Sequence, residues 1–149
     1  MGMVELKGNC APHVECFLSE VVSWARSRGD IANIALAGSQ AHGTARPDSD
    51  IDLVLLVKDK EVLTEDRSWL SLLGTVERVV VKEFGVLTSV IAWFKEIGEV
   101  EFGIAWPSWA DIPVDAGTRQ VVTDGIRILD DPDGRLRELV KAVRAKVSP

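Results

Sequence analysis

Asp50 and Asp52 are separated by one apolar residue. Alternation along an extended strand puts both carboxylates on one face, about 7 Å apart, with Ile51 and Leu53 facing the other way. Two like charges so placed repel unless a cation or solvent separates them. Hard divalent ions, Mg²⁺ or Mn²⁺, take oxygen ligands and commonly sit between carboxylates and substrate phosphates. A short way upstream, Gly38-Ser39 closes an apolar run. The missing side chain and the small hydroxyl let a phosphate approach the backbone there, and residues 40–44 can begin a helix whose free N–H groups point at it. A phosphate cradle followed by a carboxylate pair is the apparatus of phosphoryl or nucleotidyl transfer. Each piece alone has a plainer reading, a tight turn and a solvated strand entry.

The elements that must position these residues follow from pattern. Residues 31–37 and 51–57 have the length and β-branched content of buried strands, joined through a turn at Arg46-Pro47-Asp48-Ser49. Before them, residues 11–28 carry Val14, Phe17, Leu18, Val21, Val22 and Ala25 at helical spacing, with Pro12 in the first turn and Gly29 after the last. His13 at that helix's start reads as a solvated or capping residue. Residues 59–73 read as a second amphipathic helix ended by Gly74, with Val62, Leu63, Trp69, Leu70 and Leu73 as its stripe. Trp69 is expected in the core, with adenine stacking as the alternative.

Three β-rich runs come next, at 75–82, 86–94 and 99–106. The last alternates Val100, Phe102 and Ile104 against Glu99, Glu101, Gly103 and Ala105. Residues 106–115 are irregular, and Trp106 and Trp109 there fit either a loop over a ligand or a plug at the core's edge. A helix at 118–123, a short strand at 125–129 and a helix at 134–147 complete the order. Asp130-Asp131-Pro132-Asp133-Gly134 lacks the alternating ligands and closing glutamate of a calcium loop, so it reads as a turn and helix cap.

Composition narrows the class. With 46% hydrophobic and 27% charged residues over 149 positions, the chain suits one domain, residues 1–149, with a real core. A net charge of −6 without a basic block argues against long nucleic acid as partner, though not against a nucleotide. No apolar run approaches a membrane span, and residues 1–5 lack the form of a signal peptide. Cys10 and Cys16 match neither a redox pair nor a zinc knuckle, so a reducing, cytoplasmic setting is expected.

Gly38-Ser39-x-Ala41-x-Gly43 followed by Ser49-Asp50-Ile51-Asp52-Leu53 resembles the signature of the nucleotidyltransferase superfamily that includes DNA polymerase beta. It looks closest to the small bacterial members, the minimal nucleotidyltransferases and aminoglycoside adenylyltransferase-like proteins. The ending Gly125-Ile126-Arg127-Ile128-Leu129-Asp130 is also similar. The resemblance implies the nucleotidyltransferase fold, an α/β (or α+β) domain with a mixed β-sheet flanked by helices.

It further implies that Gly38, Ser39, His42 and Ser49 bind a nucleoside triphosphate, ATP before others, and that Asp50 and Asp52 hold Mg²⁺ or Mn²⁺. A third carboxylate from a neighbouring strand completes the site in such proteins. Glu101 is the choice, being mid-strand beside small Gly103 and Ala105; Glu99 is second and Glu83 third. As surface residues, His42 and Arg46 need no function. The expected reaction moves a nucleoside monophosphate to an acceptor held by the 106–109 loop, a second copy of the chain, or a separate protein. The last resembles minimal nucleotidyltransferases that act as antitoxins by adenylylating a helical toxin. A catalytically inactive nucleotide- or partner-binding module on the same fold is the competing class.

Overall fold

The computed structural model describes residues 10–147, so the reading of residues 1–5 lies outside the described residues. Its elements are α1 (Pro12–Arg28), β1 (Ile31–Ala37), α2 (Gly38–His42), β2 (Ile51–Val57), α3 (Lys60–Glu65), a 3₁₀ helix (Ser68–Leu72), β3 (Val76–Phe84), β4 (Leu87–Phe94), β5 (Gly98–Ala105), a second 3₁₀ helix (Pro107–Ala110), α4 (Ala116–Asp124), β6 (Arg127–Asp130) and α5 (Arg135–Val147). The six strands form one mixed sheet in the order β3-β4-β5-β2-β1-β6. β2 and β5 run parallel, and every other neighbouring pair is antiparallel. The expected mixed sheet with flanking helices is therefore present.

Alternation along the central strands divides the interior into two cores. α1 starts at Pro12, whose missing N–H is one a first helical turn leaves unpaired anyway, and stops at Gly29, in the left-handed region at φ 81°. Its buried stripe, Val14, Phe17, Leu18, Val21, Trp24 and Ala25, packs on Ile34 and Leu36 of β1, on Ile51, Leu53 and Leu55 of β2, and on Val100, Phe102 and Ile104 of β5. Trp69 stacks on Trp24 at 4.9 Å and meets Phe102 edge-on at 5.1 Å, while its Nε1 donates to the Leu63 carbonyl at 3.0 Å. Its role is structural, and the stacking on adenine is ruled out by that burial. The opposite face carries the second core, in which Ala35, Val54, Leu56 and Ala105 meet Trp109, Val122, Leu136 and Leu139.

Two local expectations are corrected, and one left open is decided. Residues 59–73 do not form one helix: Asp66 is extended (φ −105°, ψ 109°) and its carboxylate accepts from the Ser68 N–H at 3.0 Å, which breaks the run into α3 and a 3₁₀ turn. The apolar stripe is broken with it, and Val62 is 45% exposed. The third and fourth strands meet in a tight hairpin around Gly85 (φ 68°), so β3 runs on to Phe84 and Val86 sits exposed in the turn. The two tryptophans of the 106–115 segment part company: Trp109 is buried in the second core and Trp106 is exposed.

Two ion pairs fasten β6 to α1. Arg127 grips Glu15 through two nitrogens at 2.7 and 3.0 Å, and Arg26 reaches Asp130 at 2.9 Å. Asp131 is the anchor for α5: its carboxylate accepts from the Leu136 and Arg137 N–H groups and, with Asp133, from the Asn33 amide. The 130–134 segment is thus a cap, as its residue order suggested.

Candidate active site

The second face of the sheet changes character toward one end. Past Val54 on β2 comes Asp52, flanked in register by Ala37 on β1 and Glu101 on β5. Asp50 stands just before the strand. One carboxylate oxygen from each of Asp50, Asp52 and Glu101 lies within 4.8 Å of the others, the acidic or imidazole-bearing cluster of metal-binding size among the described residues. All three residues are partly buried. Ile51 and Leu53, interleaved with the aspartates, point into the aromatic core, which is why the aspartates cannot turn that way.

The Gly38-Ser39 turn, expected to receive a phosphate, abuts this cluster. Gly38 adopts φ 69°, and a Cβ placed on it would collide with the Asp52 carboxylate. Glycine is required there twice over, for the left-handed backbone and for the volume. α2 is only five residues long, ends at Gly43, and takes back the Thr44 N–H on the Ser39 carbonyl at 3.1 Å. Ser39 is half-buried beside it.

Burial pushes the Asp52 carboxyl up to about 7, helped by the charges of Asp50, Glu101 and Glu99. The like-charge part of that rise is one that a bound cation would offset. The donors are oxygen alone, which suits Mg²⁺ or Mn²⁺ and disfavours softer ions. The residues present therefore fit a divalent ion held by Asp50, Asp52 and Glu101.

The other expected residues are not part of the three-carboxylate cluster. Glu99 is near enough to act on Asp52 through its charge but is not in the cluster. Glu83 lies on the aromatic-core side, where it accepts from Thr88 Oγ1 at 2.8 Å. His42 is exposed and lies over Gly125, where an added Cβ would be 2.9 Å from its Cδ2. The Ser49 hydroxyl oxygen accepts the Arg46 N–H at 2.8 Å and so closes the turn that delivers Asp50. The room expected beside Glu101 at Gly103 is filled by Leu87, 3.1 Å from where a Cβ would be.

One residue the sequence reading passed over joins the site. Ser89 of β4 is fully buried, and its Oγ donates to Glu101 Oε2 at 2.7 Å. The signal was a hydroxyl inside an apolar strand run, which must find a partner when buried.

A family model described as the nucleotidyltransferase domain matches residues 18–100. The chain belongs to this family. The matched span holds Gly38, Ser39, Asp50 and Asp52 and stops one residue short of Glu101. Among solved structures, an aminoglycoside 6-adenyltransferase from Bacillus subtilis is similar at a TM-score of 0.53 and 18% identity, over 68% of this chain and 37% of that one. The chain thus spans well under half the length of that enzyme. No curated protein sequence matches it.

Proposed function

We propose that the chain is a single-domain, metal-dependent nucleotidyltransferase that moves a nucleoside monophosphate, AMP from ATP in the first instance, to a hydroxyl acceptor on a partner protein or small molecule. The observation that carries this reading is the convergence of Asp50, Asp52 and Glu101 beside the Gly38 turn. Family membership supports the reaction class.

Gly38 and Ser39 take the terminal phosphates through backbone N–H groups and the hydroxyl, at a turn where no side chain intervenes. Asp50 and Asp52 face the α-phosphate. The acceptor oxygen attacks that phosphorus, the bond from it to the bridging oxygen breaks, and pyrophosphate leaves on the Gly38 side. In-line geometry places the acceptor opposite, toward β5, where Glu101 stands to take the hydroxyl proton. Ser89 holds Glu101 in that orientation. Asp50, Asp52 and Glu101 would hold a divalent ion, which would supply charge neutralisation for the phosphate oxygens and the developing alkoxide.

The test is incubation with each nucleoside triphosphate radiolabelled at the α-phosphate, with Mg²⁺ and cell extract as acceptor pool, beside Asp52→Asn. Label moving to one component with the wild type alone supports transfer and identifies the acceptor class. Nucleotide stabilisation of melting that ignores Mg²⁺, with no transfer, points instead to a nucleotide-binding module.

A further inference from the structure

Along the outer edge of β6 runs a groove of about 780 Å³ that contains none of the carboxylate cluster. β6 is the terminal strand of the sheet, so among the described residues its outer edge has no strand partner. Helices wall the groove on both sides. Arg26 projects from α1, and Arg137, Lys141 and Arg144 project from α5 at i, i+4 and i+7, with Val140 between them. Ile126 and Ile128 give the edge an apolar floor. A slot between two helices, with a free strand edge at its base, has the shape of the place a further strand would occupy.

The charge of the slot is opposite to that of the chain. Arg127 adds a fifth cation to the lining, against two anions, Asp130 and Asp131, while the chain as a whole stands at −6. The side chains of Arg26, Arg137 and Lys141 keep 67%, 62% and 75% of their surface in solvent although each touches one carboxylate. A guanidinium offers five donors and an ammonium three, so a second carboxylate can share them.

We propose that this groove is a strand-addition site for an extended acidic segment of a partner protein. Main-chain hydrogen bonds to the β6 edge supply register, and side chains alternate between the two helices. Alternate residues of a strand are about 7 Å apart, and the α5 cations recur every 4.5 to 6 Å or so along the helix axis. The repeats differ by about one to a few Å, a gap that the long, flexible cationic side chains can span, so acidic residues at every second position come within reach of Arg137, Lys141 and Arg144. A second copy of this chain is disfavoured, because pairing β6 with β6 would bring two such cationic rows together. Nucleic acid has no donors and acceptors arranged to match a strand edge. The site lies one strand from the phosphate turn, since Arg127 sits opposite Leu36 on β1, just before Gly38.

The proposal does not depend on nucleotidyl transfer, and its test uses no nucleotide. The probe is a fluorescent seven-residue peptide alternating glutamate and threonine, titrated into the full chain and followed by anisotropy and amide hydrogen exchange. Saturable binding with new protection at residues 127–130 is expected. A peptide N-methylated at alternate amides should bind about tenfold more weakly or worse, as should the unmodified peptide to Lys141→Glu, an exposed position whose side chain pairs with Glu138 and whose change should lower melting only slightly. Arg137→Glu should deepen the loss. Absence of saturable binding at millimolar peptide overturns the proposal. So does equal affinity for the methylated peptide, tighter binding of a single-stranded oligonucleotide, or concentration-dependent dimers formed through β6.

Discussion

On the α1 face of the sheet, Phe17, Trp24, Trp69, Phe94 and Phe102 form a continuous aromatic layer, with ring centroids 4.9 to 6.5 Å apart. The opposite face, built by the alternate residues of the same strands, changes from Val54, Leu56 and Ala105 to Asp50, Asp52 and Glu101 within a few residues. One face is given over to burial, worth about 1.5–3 kcal/mol for each large side chain removed from water. The other gathers like charges whose mutual repulsion works against the fold. The difference teaches that β2 and β5 can carry an acidic cluster because the stability they need is secured on their other side.

Substitutions can break or sharpen that contrast. The largest effect is expected on the aromatic face: Phe102→Ala, at a fully buried position, should lower unfolding free energy by about 3–5 kcal/mol in urea titration. Asp52→Asn should do the reverse, leaving the fold intact while reducing transfer at least about a thousandfold, roughly 4 kcal/mol of barrier. A variant with near wild-type turnover would remove Asp52 from the reaction. Ser89→Ala joins the two faces' concerns, because a buried residue there serves the site. Its expected loss is roughly 10- to 100-fold in activity or in Mn²⁺ affinity, measured directly by equilibrium binding, with partial recovery in Ser89→Thr.

The smallest effect is electrostatic. Asp52 is raised in the folded state to about 7 from an ordinary carboxyl value, so between about pH 4 and 7 the folded state holds a proton that the unfolded state has lost. Without divalent ions, stability should fall as pH rises through that window and level off above it, by about 1–2 kcal/mol after solvent screening. Melting scans at pH 5 and pH 8 should show this slope in the wild type and its loss in Asp52→Asn. Added Mn²⁺ should raise the melting temperature more at pH 8.

Much of this was legible beforehand. Strand alternation alone places Asp50 and Asp52 together with Ile51 and Leu53 turned away, and a glycine before a helix start suffices to mark the tight turn that packs against Asp52. What stayed hidden depended on register between distant strands. The bond from Ser89 to Glu101 exists only because β4 pairs with β5, and Glu83 is set aside only by knowing which face it shares with Thr88. Helical periodicity across residues 59–73 concealed the break at Asp66, where a local side-chain bond to the backbone outcompetes the helix. His42 is turned to Gly125 by a contact between segments far apart in the chain.

The parallel pairing of β2 with β5 also sets an order of assembly. Gly38, Asp50 and Asp52 come together through short connections, but α3, the 3₁₀ turn and the whole β3–β4 hairpin intervene before Glu101 can take its place beside Asp52. Closing so long a loop is slow relative to forming the hairpin. The three-way charge conflict therefore arises only when β5 seats, and a divalent ion waiting on the two aspartates would turn that last step from a repulsion into a latch.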